Sequence, residues 1–165
     1  MGNLFEKFGE FDSVEELNRA AAGQLAEKDI EALEVLAKEN GIEDGDVYDY
    51  VDGYTEELAT PITAALGRIS VEIEEIRKKI SIRENIPCLI IADMTKSLCP
   101  ANEKLVKGIM KKGKRVKKIA EAMYNNRCIM GTDRELEDVI IAYYVDGESA
   151  MVDKIVEIKE RYKGE

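Results

Sequence analysis

The chain has 165 residues, of which 45% are hydrophobic and 35% charged, with a formal net charge of −10. That length suits one domain or two small helical units and leaves room for a real core. It contains no histidine, which removes the commonest general base and the commonest metal ligand, and no apolar run approaches the roughly 20 residues of a membrane span.

The charge is unevenly placed. Residues 1–76 carry five basic and twenty acidic side chains, residues 77–118 thirteen and three, and residues 119–165 six and eleven. Within the middle block, residues 104–118 (KLVKGIMKKGKRVKK) hold eight Lys/Arg and no acid. Such segregation speaks of partners rather than of fold. Cys88, Cys99 and Cys128 are an odd number without CxxC spacing and read as reduced thiols. The N-terminus lacks the apolar core of a signal peptide. The expected location is the cytoplasm of a bacterial host.

In chain order, Ser13 and Glu16 have capping-box spacing and open a first helix with Leu17, Ala20, Ala21 and Leu25 on one face. Asp29 is the next N-cap, and Ile30, Leu33, Leu36 and Ala37 follow. Asn40-Gly41 ends that helix, because glycine tolerates the left-handed position. The next stretch interleaves Asp44, Asp46, Asp49, Asp52, Glu56 and Glu57 with Tyr48, Tyr50 and Tyr54. It is not a calcium loop, since Asp49 stands where the sharp turn needs glycine. It reads either as a solvated helix face with its tyrosines packed inward, or as a phosphate-like surface that a basic channel would accept.

Thr60-Pro61 starts the longest predicted helix, with threonine as cap and proline at the first position. Ile62, Leu66, Ile69, Ile73, Ile76 and Ile80 then recur at heptad spacing. This seam packs inside the monomer or joins a homodimer. Asn85-Ile86-Pro87 is expected to break the chain, because the residue before proline avoids helical geometry. An apolar helix follows, and Pro100 can start another that turns Leu105 and Ile109 inward. Gly113 interrupts, and Val116, Ile119, Ala120 and Met123 restart the pattern. Thr132 and Glu135 form a second capping box ahead of Leu136, Val139, Ile140, Tyr143 and Tyr144. Asp146-Gly147 closes that helix, and a last one carries Met151, Ile155, Ile158 and Tyr162.

The predicted fold is therefore all-α: an acidic helical lobe over 1–60, a long heptad-patterned helix over 61–84, and a second helical lobe over 87–165. No catalytic residue, metal site or cofactor is expected. No cysteine has a histidine to make it a thiolate, zinc has no ligand cluster, and Gly113 between lysines lacks the rest of a phosphate loop. The basic candidates are Lys107, Lys111, Lys112, Lys114, Arg115, Lys117 and Lys118. They form a solvated face, a phosphate-binding surface without aromatic stacking, or a surface that docks on the acidic N-terminal block.

The string KKGKRVKKIAEAMYNNRCIMGTDRELEDVIIAYYVDG, residues 111–147, resembles the PcfK-like family of conjugative and mobile elements. Residues 117–124 match its short basic helix, 125–131 its polar loop, 132–145 its acid-started helix, and Tyr143-Tyr144-Val145-Asp146 its aromatic-acid ending, with Ala142 where a histidine is usual. The opening stretch, from NLFEKFGEF to TPITAAL, looks like small accessory proteins on mobile elements of Firmicutes. Some proteins with these features are anti-CRISPRs. The resemblance implies binding to a guide-loaded type II CRISPR effector nuclease, with DNA engagement or cleavage blocked and no enzymatic step. It offers no active-site residue to carry over. On this reading the acidic cluster competes for a positively charged channel. The alternative is a DNA-associated accessory protein of a conjugative element, acting through the basic segment.

Overall fold

The computed structural model describes residues 4–79, 82–128 and 131–163. Among them the protein is all-α, without strands. Its helices are α1 (Val14–Ala26), α2 (Ile30–Glu39), α3 (Asp44–Val51), α4 (Pro61–Lys79), α5 (Ile82–Leu98), α6 (Glu103–Ile109), α7 (Val116–Asn125), α8 (Asp133–Ile141) and α9 (Glu148–Arg161). A 3₁₀ turn, Cys99–Ala101, precedes α6, and a π-helical segment, Ala142–Asp146, follows α8.

Local chemistry sets most helix starts. The Ser13 and Asp29 side chains accept from the Glu16 and Ala32 N–H groups, and Asn102 caps α6 in the same way. At α4 the Thr60 hydroxyl accepts from Thr63 N at 3.1 Å, while the Thr63 hydroxyl accepts from Thr60 N at 2.9 Å. Each bond satisfies an amide that the helix itself leaves unpaired.

The full capping box is at α8. Thr132 Oγ1 accepts from Glu135 N at 3.2 Å, and Glu135 Oε1 accepts from the N–H groups of Thr132 and Gly131, both at 3.0 Å. The Tyr162 hydroxyl, at the end of α9, donates to the same carboxylate at 2.8 Å, so Glu135 ties α8 to α9. That tyrosine bond, with the amide bonds behind it, holds the Glu135 carboxyl below its ordinary value against the opposing effect of burial. The depressed value contributes stability above the unfolded-state value of 4.5, and that stability is lost as pH falls through the folded value. Glu135→Gln is therefore expected to flatten the acid limb of the stability profile. Urea titrations at about pH 6 and about pH 3.5 check this; equal losses in variant and wild type would refute it. Glu72 acts in the opposite sense, because burial raises its value.

Buried hydrophobics form two clusters. One gathers Leu17, Leu33, Leu36, Val47 and Tyr50 from α1–α3 with Ala64 of α4 and Met110. The other gathers Ile69, Ile73 and Ile76 of α4 with Ile91, Ile109, Ile119, Ile140, Tyr143 and Ile155 from the helices that follow. The seam of α4 is thus filled from within the chain. Ile69, Ile73 and Ile76 are buried, Leu66 is half-buried, and Ile62 at the start is 38% exposed. That removes the seam as a face along which a second copy could zip; Ile80 lies outside the described residues.

Two close backbone approaches fix the packing. Gly41 turns at φ +69° after α2, and its backbone lies against Gly67 of α4. A Cβ on Gly67 would sit 2.3 Å from the Asn40 carbonyl oxygen. At the other end, a Cβ on Gly108 of α6 would sit 2.2 Å from the Tyr144 carbonyl oxygen. The π-helical segment there packs Tyr143 and Tyr144 edge to face, with centroids 4.9 Å apart.

The expected break at Asn85-Ile86-Pro87 does not occur. α4 ends at Lys79, α5 already starts at Ile82, and Pro87 lies inside α5. Proline at the sixth helical position forfeits one intrahelical hydrogen bond. Burial of Cys88, Ile91 and Ala92 against the core offsets that loss. No helix is long and apolar enough to cross a membrane among the described residues.

Candidate functional site

α3 and the loop after it carry the acidic cluster. Asp44 and Asp46 lie in the first turn of α3, where negative charge complements the helix dipole. Asp44, Asp49, Asp52, Glu56 and Glu57 are exposed and Asp46 is half-buried. None of the six forms an ion pair with Lys or Arg among the described residues. The tyrosines do not all turn inward. Tyr50 is buried beneath α3, whereas Tyr48 is 59% and Tyr54 82% exposed. The loop is held from α1: Asn18 Oδ1 accepts from Ala59 N at 3.0 Å, and Asn18 Nδ2 donates to the Ala59 carbonyl at 2.9 Å and to Glu57 Oε2 at 3.3 Å. The result is an acidic ridge with two aromatic rings standing out of it.

The seven basic candidates divide. Lys107 lies on α6 and is exposed, as are Lys111 and Lys112 after it. Lys117 and Lys118 are exposed in the first turn of α7 and pair with Glu121 at 3.7 Å and Glu148 at 3.2 Å. Lys114 and Arg115 turn into the protein. Lys114 Nζ donates to the Tyr143 carbonyl at 2.9 Å and lies 4.4 Å from the centre of that ring, and burial lowers its pKa. Arg115 pairs with Glu10 and donates its backbone N–H to the Tyr143 hydroxyl at 2.9 Å. Burial pushes that phenol up to about 12.

This inward turn belongs to a larger network. Arg68, on α4, is 3% exposed. Its Nη1 donates to Glu10 Oε1 at 3.2 Å and to the Met110 carbonyl at 3.4 Å, and its Nη2 donates to the Phe11 carbonyl at 2.7 Å. Glu72, one turn on, accepts from Val116 N at 2.9 Å and Lys117 N at 3.0 Å, capping α7 from another helix. Glu10 Oε2 accepts from Gly113 N at 2.8 Å, and Asp12 Oδ1 from Lys112 N at 2.9 Å. The basic segment therefore does dock on acids of the N-terminal block. The acids are Glu10, Asp12 and Glu72, not those around α3. Arg68 and Glu72 were detectable as an i,i+4 pair flush with the α4 seam, where charge is out of place.

Cys88, Cys99 and Cys128 are all buried. Burial raises all three thiols, Cys99 to about 11, which suppresses the reactive thiolate. No group of three or more Cys, Asp or Glu among the described residues could hold a metal ion. The surface carries shallow grooves. One of about 470 Å³ runs between α2 and α4, lined by Val35, Lys38, Glu39, Val71, Glu74 and Lys78. No family model matches the chain, and no curated protein or solved structure is detectably similar to it.

Proposed function

We propose that this protein acts by binding rather than by chemistry: it is an inhibitor that lays its α3 ridge into the positively charged nucleic-acid channel of a guide-loaded type II CRISPR effector nuclease. The observation that carries the reading is the ridge itself, with five exposed carboxylates lacking ion-pair partners beside exposed Tyr48 and Tyr54. Carboxylates spaced along a helix and loop present charge as a phosphate backbone does, and complementary potentials steer encounter and select the partner. Tyrosine supplies large contact area at small entropic cost and is enriched where interfaces concentrate their energy. Effectors of this kind hold their guide–target duplex in a cationic channel. The partner's identity rests on the sequence resemblance.

The test is co-elution with the guide-loaded nuclease, followed by DNA binding and cleavage on the same sample. The variant to compare is Asp44→Lys/Asp49→Lys/Asp52→Lys/Glu56→Lys. Its helical circular dichroism is expected to match wild type, because these side chains are exposed and unpaired, while complex and inhibition are lost. Retained inhibition would eliminate the ridge as the contact.

A second reading, the DNA-associated accessory protein of a conjugative element, draws on Lys104, Lys107, Lys111 and Lys112, which are exposed and form no ion pair among the described residues. Lys114 and Arg115 are committed internally and drop out of that surface. Duplex binding through four lysines would weaken with salt at a log–log slope of about −4. No binding at low salt would end it.

A further inference from the structure

We propose that the space now filled by the Glu10 carboxylate is a binding site for a phosphate group, kept closed by the strap of residues 4–12 acting as an internal competitor. Two guanidinium groups and a main-chain amide converge on this one side chain: Arg68 Nη1 and Arg115 Nη1 on Oε1, and Gly113 N on Oε2. Paired arginines with a backbone N–H form the donor set that planar, charge-assisted recognition of phosphate uses. The neighbouring Lys112 N–H points at Asp12, and Gly113 sits at φ +80°. Successive amides around such a residue form a concavity suited to anions. Arg68 keeps a further buried donor, Nε, with no hydrogen-bond partner among the described residues.

Both carboxylates that fill this concavity lie on the same strap, so one movement clears both. The strap contains no helix. It is held by the Phe5 ring, 4.8 Å from the Arg68 and 5.6 Å from the Arg115 guanidinium carbon, and by Glu39, which accepts from Lys7 N and Phe8 N at 2.8 and 3.2 Å. Phe5 itself sits at φ +61°, in the left-handed region that bulky residues seldom adopt. Glu72, on α4, is a nearby carboxylate that stays behind, and Glu75 lies close by on the same helix. Glu72 is committed to the amides that open α7 and lowers the positive potential of the opened site without filling it. Exposed Lys111, Lys112 and Lys117 flank the site. The ligand chemistry is a phosphate group, carried either by a small phosphorylated compound or by a nucleic-acid backbone. This inference stands apart from the nuclease reading, since it uses none of the α3 ridge.

The test uses the full chain in three forms: wild type, Glu10→Gln, and Glu10→Gln/Arg115→Gln. Glu10→Gln keeps the shape of the strap and removes the competing charge. It is expected to bind pyrophosphate roughly tenfold more tightly than wild type, and the double variant to return to the wild-type value. The same gain with a fluorescent single-stranded oligothymidylate, falling steeply with salt, would assign the site to a nucleic-acid backbone; a gain with pyrophosphate alone would assign it to a small phosphorylated compound. No gain with either probe in a variant of native helical content would overturn the proposal. If the variants lose that content, hydrogen exchange on the wild type decides. Pyrophosphate is expected to speed exchange of the amides of residues 4–12, and unchanged exchange there would overturn the proposal equally.

Discussion

Arg68→Met is expected to lower the unfolding free energy by about 3–5 kcal/mol, the usual cost of breaking a buried charged pair from one side. The side chain is almost completely buried and serves three acceptors: the Glu10 carboxylate and the carbonyls of Phe11 and Met110. Methionine fills most of the volume but leaves the carbonyls without a donor, and a buried acceptor that loses its partner keeps its desolvation penalty. Burial lowers the Arg68 pKa and Glu10 pulls it back up, while the guanidinium stays charged. Arg68→Lys is expected to recover only part of the loss, because a point charge on a flexible stem cannot serve three diverging acceptors. Urea unfolding of the two variants checks this. A wild-type midpoint in Arg68→Met would show that the network orients the chain without stabilising it.

Gly67→Ala is expected to cost about 3 kcal/mol, which at this chain length is a fall of roughly 9 °C in Tm. The added Cβ would meet the Asn40 carbonyl oxygen at 2.3 Å, with Gly41 backbone atoms at 3.0 and 3.1 Å. These neighbours are backbone, so relief requires α4 to back away from the α2–α3 turn rather than a side chain to rotate. Gly23→Ala is the control. It lies within α1 with nothing within 4 Å of the added carbon. There the same substitution is expected to stabilise by about 0.5–1 kcal/mol through helix propensity and reduced freedom of the unfolded chain. Thermal melts of the pair give opposite signs if the close approach is real and equal signs if it is not.

Much of the helical frame was legible because its signals are local. Ser13, Asp29, Thr60-Pro61 and the Thr132–Glu135 box each act within four residues, and Gly41 and Gly147 occupy positive φ after the helices they end. Leu136, Val139 and Ile140 of α8 follow the helical period, and these three, with Tyr143 and Tyr144 of the π-helical segment, are buried as read. Pro87 misled because its cost depends on where the helix begins. Six residues from the start of α5, it removes one bond and leaves the packing of Cys88 and Ile91 intact. The sequence around the end of α4 and the start of α5 has no glycine, and its one proline lies inside α5. In the basic segment, composition grouped seven residues as one surface with three open readings, and tertiary contacts divide them. Lys114 and Arg115 are drawn in by Tyr143 and Glu10, partners 29 and 105 residues away. Gly67 and Gly108 carry no local signal of their role, since the backbones that crowd them come from elsewhere in the chain.

The strap also constrains the order in which the molecule can be completed. Its bonds from Asp12 and Glu10 to Lys112, Gly113 and Arg115 span 100 to 105 residues of sequence, whereas the caps that start α1, α2, α4 and α6 span three. Closing so long a loop costs chain entropy that grows only with the logarithm of its length, but it has an absolute prerequisite. On a ribosome, α1 to α3 and most of α4 are free to assemble while Glu10 and Arg68 still lack their second cation. Glu10 and Asp12 can complete these bonds only once Lys112, Gly113 and Arg115 have left the exit tunnel.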